Sequence, residues 1–301
     1  MFAGGKVLTK QKVNKKSKFI SIVILAIFTI ISTYFGKDIL DLNTEKTNEN
    51  IEISYLDVGQ GDAVYIRVNG LDILIDAGPK SDVDKLMKQL GEKNIDDFEI
   101  VIATHPHEDH IGGMTKIFEE YNIKSFYMPK VTSTTKTFEN MINAVNKEGL
   151  KINVIKEGTS FELGEGARID VYSPIDEHYE ELNDYSPIMK LTFGNSTFMF
   201  TGDAEAYSEK QVIYKYKDNL KADVLKFGHH GSSTSSSKEF IKAIAPKYGV
   251  ISCGVDNKYG HPHRETLQTI DTYGIETYRT DINGEIIVIS DGNNISIKTK
   301  K

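Results

Sequence analysis

The 301-residue chain is long enough to bury one large core or two small ones, and 26% charged with 39% hydrophobic residues fits a folded protein rather than a disordered one. A single cysteine, Cys253, excludes an intramolecular disulfide and a cysteine-rich zinc site; in the apolar run YGVISCG it reads as a small buried hydrophobe. Seven of the 36 basic residues and none of the 43 acids lie in residues 1–37, which leaves the remainder at −14 and argues against nonspecific grip on nucleic acid through a broad basic face.

In chain order, the first feature is FISIVILAIFTIISTYF, residues 19–35, a run of 17 residues without a charge. As a helix it spans about 25 Å at ~1.5 Å per residue, close to the ~30 Å hydrocarbon core of a bilayer. Six lysines precede it and the first acid, Asp38, follows it. That asymmetry predicts a cytoplasmic basic segment over 1–18, a signal anchor over 19–36 and the body outside the cell membrane, a single-pass arrangement. Cleavage and secretion is the alternative, although no small-x-small site follows the run. Residues 37–50 are polar and read as a linker.

A folded domain is predicted over 51–301. Strand-like runs cover 51–58, 63–68 and 71–77, and Asn69-Gly70 between the last two is a type I′ hairpin signal. A helix over 81–91, a strand over 98–103, a helix from about 113 to 121, a strand ending in SFYMP and a helix over 136–149 follow. Strands are then predicted in ARIDVYS, IMKLTFG and STFMFTG, with a helix over 205–217. ADVLKFG and YGVISCG alternate as strands with helices in SKEFIKAIA and HRETLQTIDTYG, and GEIIVIS and NISIKTK close the chain as strands. Two halves, each with a hairpin-rich sheet followed by strand–helix units, predict an α/β four-layer sandwich (αββα).

The chemistry concentrates in ATHPHEDHIGG, residues 103–113. A strand ending at Ala103 delivers a loop carrying His105, His107, Asp109 and His110. Neutral imidazoles and a carboxylate are the ligands that zinc or manganese takes. Gly112 and Gly113 then let the backbone turn tightly into the next helix.

HPHEDH matches the HxHxDH motif of the metallo-β-lactamase fold. With LDVGQGDA (56–63), ILIDAG (73–78), FTGDAE (200–205), VLKFGHHGS (224–232) and YGHPHRETL (259–267) in this order, the chain resembles the extracellular hydrolase domain of ComEC-type competence proteins over about residues 51–290. It is similar, more loosely, to secreted phosphorylcholine esterases of the same superfamily. The resemblance implies two divalent metal ions, zinc or manganese. His105 and His107 would hold one, Asp109 and His110 the other, with Asp203 bridging and His261 the far ligand of the second. Many members bring a third histidine to the first ion from between HxHxDH and the bridging aspartate. Here only His178 lies there, in a charged segment that reads as exposed. The His229-His230 pair is better placed; His229 is preferred as ligand and His230 as proton donor or phosphate contact, the two being exchangeable. Asp109, beside its ligand role, and His230 form the catalytic set. Asp62 and Asp76 would orient a ligand histidine or a water from behind, with turn aspartates as the plainer reading. Ser232 and His263 would touch substrate, against a solvated loop and a helix start.

The resemblance implies hydrolysis of a phosphodiester, with DNA as substrate, by a metal-activated water. A phosphorylcholine or teichoic-acid esterase at the envelope and a β-lactam or lactone hydrolase use the same ions and stand as alternatives. A non-catalytic module would have lost ligands, and none of the HxHxDH residues or Asp203 is missing. One hydrophobic run does not predict a translocation channel.

Overall fold

The computed structural model describes residues 50–301, and the basic segment, signal anchor and most of the linker predicted over 1–50 lie outside the described residues. The first strands are β1 (Ile51–Tyr55), β2 (Val64–Val68) and β3 (Leu71–Ile75), followed by helix α1 (Val83–Gly91), β4 (Asp97–Phe98) and β5 (Ile100–Ile102). Then come α2 (Glu108–Ile111), α3 (Met114–Glu120), β6 (Asn122–Ile123), β7 (Phe126–Met128), α4 (Lys136–Lys147) and β8 (Ile152–Val154). The second half runs β9 (Ser160–Glu162), β10 (Ala167–Val171), β11 (Met189–Phe193), β12 (Ser196–Phe200), α5 (Ala206–Tyr216), β13 (Val224–Lys226), α6 (Lys238–Ile244) and β14 (Tyr248–Ile251). It ends with α7 (Arg264–Tyr273), β15 (Glu276–Arg279), α8 (Thr280–Asn283), β16 (Ile286–Ser290) and β17 (Ile295–Thr299).

Two mixed sheets carry these strands. One has the order β17-β16-β1-β2-β3-β5-β7-β8 and the other β15-β14-β13-β12-β11-β10-β9, while β4 and β6 form a small separate pair. Side-chain alternation along the strands decides the layers. Ile100 and Ile102 of β5 face a core shared with Phe198, Phe200 and Val224 of the second sheet. Val101 between them faces the opposite way, onto Leu86, Ile117, Phe118 and Met141 of the helices. In the second sheet Met199 and Leu225 turn outward onto Val212, Phe240, Ile241 and Ile270. Strands buried on both faces between two helical layers make the predicted αββα sandwich, each large apolar side chain contributing roughly 1.5–3 kcal/mol on burial.

The Asn69-Gly70 turn joins β2 and β3 in the Val68↔Leu71 register with φ of 51° and 75°, the double positive φ of a type I′ turn. Strands β8, β9 and β15 were not predicted. Each has little apolar alternation, and β9 buries only Phe161. The last two strands leave the second half and pair through β16 with β1, Ile51 opposite Ser290.

Candidate metal centre

The sequence motifs converge at one edge. Strands β3, β5 and β7 run parallel in one sheet, and β12 through β15 run parallel in the other. Asp76 follows β3, His105–His110 follow β5, Asp203 follows β12, His229-His230 follow β13 and His261 follows β14. All therefore leave the carboxyl ends of parallel strands, where α/β sheets open their crevices. Asp62 enters the same place just before β2.

HPHEDH is only partly a loop. Glu108–Ile111 form a helical turn, and the His107 carbonyl accepts from the His110 and Ile111 amides at 3.1 and 3.0 Å. The glycine pair has a different reason from the one expected. Both residues have ordinary negative φ, but a Cβ on Gly112 would lie 2.2 Å from the Lys80 amide nitrogen and one on Gly113 would lie 2.3 Å from the Ala77 carbonyl. The glycines allow close packing against the segment after β3 rather than a tight turn.

His110 is fully buried. Its Nδ1 lies 2.8 Å from Asp76 Oδ2, and Asp76 is itself held by the Thr104 amide at 2.8 Å and the Thr104 hydroxyl at 2.7 Å. His110 Nε2 is thereby directed to within 3.2 Å of Asp203 Oδ2. A second buried chain mirrors this one. Lys226 Nζ sits 2.5 Å from Asp62 Oδ2, and Asp62 Oδ1 lies 3.3 Å from His230 Nδ1. His230 Nδ1 also contacts the Ser252 carbonyl at 3.0 Å, which sends Nε2 towards Asp109 Oδ2 (3.3 Å) and Asp203 Oδ2 (3.6 Å). His105 Nε2 lies 3.8 Å from Asp203 Oδ2 and 3.0 Å from His107 Nδ1. Its Nδ1 faces the Thr104 and Ser186 hydroxyls at 3.1 and 3.3 Å.

Among the described residues, ligand atoms gather within 4.8 Å in His105–His110–Asp203, Asp109–His110–His230, Asp62–Asp203–His230 and Asp62–Asp76–His110. His107, His229 and His261 stand outside these groups but line the cleft of about 690 Å3 above them. The two adjacent histidines part company: His230 is buried with Nε2 facing only the carboxylates of Asp109 and Asp203, whereas the His229 side chain keeps 24% of its exposure at the rim. Both hold left-handed φ, 49° and 55°, a backbone strain that points neighbouring imidazoles to different depths. His229 Nδ1 is engaged by Glu205 Oε1 at 3.3 Å and the Thr234 hydroxyl at 3.2 Å, while Nε2 faces Asp203 Oδ2 at 3.8 Å.

The structure does not bring Ser232 or His263 to the cleft lining. Ser232 is buried, with its hydroxyl against Thr234, and His263 Nδ1 accepts from the Ser233 amide at 3.0 Å. His178 is exposed.

Burial alone would strip the proton from His110 and His230. The carboxylates of Asp203 and Asp76 outweigh burial at His110 and hold it well above the usual imidazole range. Asp203 and Asp62 do the same to His230, pushing it up to about 10. In return, burial of Asp203 is overcome by His110 and His230, and burial of Asp62 by Lys226 and His230, so both stay below the usual carboxylate range. Asp76 is raised by burial, against the pull of His110. Burial, then His110, lowers His105 and His107, and burial with His230, His229 and His263 takes His261 down to about 4. Cationic imidazoles thus balance a buried acidic cluster; a dication bound there would displace those protons and take over that role.

The donor set fits such ions. Asp203 Oδ1 and His261 Nδ1 are buried without a hydrogen-bond partner, an arrangement that costs roughly 1–3 kcal/mol per group unless something binds them, while His110 Nε2 and His230 Nε2 meet only the carboxylates of Asp203 and Asp109, at 3.2 and 3.3 Å. Sequence reasoning missed Lys226, Thr104, Ser186 and Glu205. A lysine inside the apolar run ADVLKFG was a signal for the first; the hydroxyls and Glu205 offered none.

The model of the metallo-beta-lactamase superfamily matches residues 56–255. The chain is 32% identical over 253 residues to ComE operon protein 3 of Bacillus subtilis (strain 168), covering 78% of this chain and 32% of that protein. It is 26% identical over 235 residues to competence protein ComA of Neisseria gonorrhoeae, covering 78% and 31%. With recombination protein 2 of Haemophilus influenzae it shares 27% identity over 243 residues, covering 79% and 28%. The chain spans a little under a third of the length of these relatives. Among solved structures, the metallo-beta-lactamase fold protein YhfI from Bacillus subtilis superposes with a TM-score of 0.54 at 13% identity, over 80% of this chain and 100% of that one. Igni18, a metallo hydrolase from Ignicoccus hospitalis, superposes with a TM-score of 0.50 at 17% identity, over 78% and 98%.

Proposed function

The chain belongs to the metallo-β-lactamase superfamily, and on that premise we propose that it is a metal-dependent phosphodiesterase acting on DNA at the outer cell surface. One observation carries the reading: the buried side chains of His110, His230 and Asp203 converge beneath an open cleft that Asp203 and His230 line. The relatives named competence protein ComA and recombination protein 2 favour DNA as the polymer. They also support a membrane or surface placement, with the uncharged run 19–35 as anchor or, after cleavage, as export signal.

When bound, two divalent ions, zinc or manganese, would polarise a phosphoryl oxygen and supply hydroxide at neutral pH. His105, His107 and Asp203 would hold one, and Asp109, His110, His230 and Asp203 the other, with His261 beside the second. The sequence favoured His229 as a ligand of the first ion; here His230 is the ligand instead, and of the second ion, because it is the buried one whose Nε2 faces Asp109 and Asp203. His229 then hands a proton to the leaving oxygen. Glu205 and Thr234 engage its Nδ1, which orients Nε2 into the cleft.

The test is a substrate panel with the full chain in detergent. Bis(p-nitrophenyl) phosphate and DNA should be hydrolysed, the activity lost on chelation and restored by manganese or zinc. His107→Ala should abolish it with the circular-dichroism spectrum unchanged. A metal-stripped preparation that still cleaves would sink the mechanism. Turnover of nitrocefin, or of phosphorylcholine esters alone, would replace the substrate assignment.

A further inference from the structure

Beyond the ligand cluster, the cleft wall carries an exposed aromatic on a pinned loop. Tyr259 is 52% exposed and lines the cleft with Lys258. Its ring stacks on that of His261, with centroids 5.6 Å apart and planes 21° apart. His261 in turn lies 5.4 Å from the His229 ring and 6.2 Å from the His230 ring, so Tyr259 stands one ring beyond the centre. The loop is held in place: Asn257 Nδ2 donates to the Gly254 and His261 carbonyls at 3.0 and 2.6 Å, and its Oδ1 accepts from the His261 amide at 2.9 Å. The Tyr259 carbonyl meets His263 Nε2 at 3.2 Å, which gives His263 a part in supporting this loop.

Leaving so large an aromatic in water on a rigid loop invites a planar partner. Lys258 Nζ lies 5.0 Å from the Tyr259 ring centroid, and among the described lining residues Lys258 is the one lysine or arginine, in a wall that otherwise includes Asp82, Glu108 and Asp109. An anion entering this cleft meets its positive charge on that side. The ammonium lies over the Tyr259 ring, so a nucleobase that stacks there displaces it towards the attached phosphate, a pairing of π-face and cation that suits a nucleotide. The same ammonium disfavours a trimethylammonium group, the other ligand a tyrosine face takes.

We propose that Tyr259 and Lys258 form a stacking subsite for the base next to the scissile phosphate, which makes an unpaired strand or frayed end the preferred substrate. Bases inside a duplex already have both faces covered by their neighbours, so only a splayed base reaches Tyr259. This rests on the phosphodiesterase reading above.

The experiment measures binding by fluorescence anisotropy, using the full chain in detergent with manganese. The probes are a labelled oligothymidylate and an abasic strand of equal length, both with cleavage-resistant phosphorothioate linkages. The protein should prefer the base-bearing strand by roughly tenfold, the scale of one base–aromatic stack. Tyr259→Phe should keep that preference and Tyr259→Ala should erase it. Lys258→Gln should weaken both strands alike and flatten the salt dependence. Equal binding of the two strands by the native protein overturns the proposal, as does a preference that survives Tyr259→Ala. Competition by phosphocholine that vanishes in Tyr259→Ala also overturns it, reassigning the platform to choline. Hydrolysis of bis(p-nitrophenyl) phosphate, run in parallel, separates the two levels. Base preference without hydrolysis refutes the phosphodiesterase reading alone, and hydrolysis without base preference refutes the subsite alone.

Discussion

Asp76 does not line the cleft, yet its carboxylate determines where His110 points. One oxygen takes the Thr104 amide, the other the Thr104 hydroxyl and His110 Nδ1, and nothing of it remains for solvent. Removing such a partner behind a ligand histidine lowers metal affinity by roughly 10–100-fold. Asp76→Ala should therefore weaken manganese or zinc binding on that scale in an equilibrium metal titration, and unchanged affinity would show that Thr104 alone orients the ring. At this scale the sequence was most readable where the chemistry is local. His105, His107, Asp109 and His110 sit within six positions at a strand end, and strand ends deliver loops to one edge. It was least readable where two identical neighbours differ only in depth: His229 and His230 share a left-handed backbone that sends one imidazole to the rim and the other to the floor. Lys226 and Asp62 are far apart in sequence, and nothing in either stretch announces that they pair. Ser232 read as a substrate contact or, equally, as part of a solvated loop, whereas the fold buries it with its hydroxyl against Thr234.

Helix α5 and the serine-rich segment after β13 are joined by one side chain. Glu209 is buried, and its carboxylate accepts from the Ser236 and Ser237 amides at 2.5 and 2.9 Å. Ser236 Oγ then accepts from the Gly228 amide at 3.0 Å, immediately before the histidine pair, and Ser237 caps α6. Burial pushes Glu209 up to about 7, from an ordinary 4.5, despite those hydrogen bonds. The folded state thus holds this proton more tightly than the unfolded chain does, and stability should fall as pH rises from about 4.5 through 7, by up to about 3 kcal/mol. Glu209→Gln should flatten this part of the pH–Tm profile. An identical slope in the variant would place its source elsewhere. Amphipathic helices were legible because their apolar faces recur at helical spacing, as in α4, where Phe138, Met141, Ala144 and Val145 are buried. The strands β8, β9 and β15 were not, because partly exposed short strands need no long apolar run.

Taken as one body, the described unit builds its centre from both sheets. Asp76, His105 and His110 arrive from one, Asp203, His229 and His230 from the other. A cation held by both sets binds the folded state alone, adding about 4 kcal/mol when its concentration exceeds Kd a thousandfold. At roughly 2–4 °C per kcal/mol for a chain of this size, chelation should lower Tm by about 10 °C in differential scanning fluorimetry. A Tm indifferent to chelator in protein of verified metal content would mean that the ions do not tie the sheets together. The four-layer arrangement was legible from the order of strand and helix patterns, but the return of β16 to β1 was not, since local sequence cannot reveal which distant strand a terminal one will join. That return has a consequence for the timing of synthesis. Until residues 286–290 leave the ribosome, β1 has no neighbour on its outer side, and its amides and carbonyls form an open edge. The sheet that presents HPHEDH is thus completed only after every ligand residue has been made, so a chain terminated between His261 and Ile286 carries all of them while lacking the finished frame that would arm them.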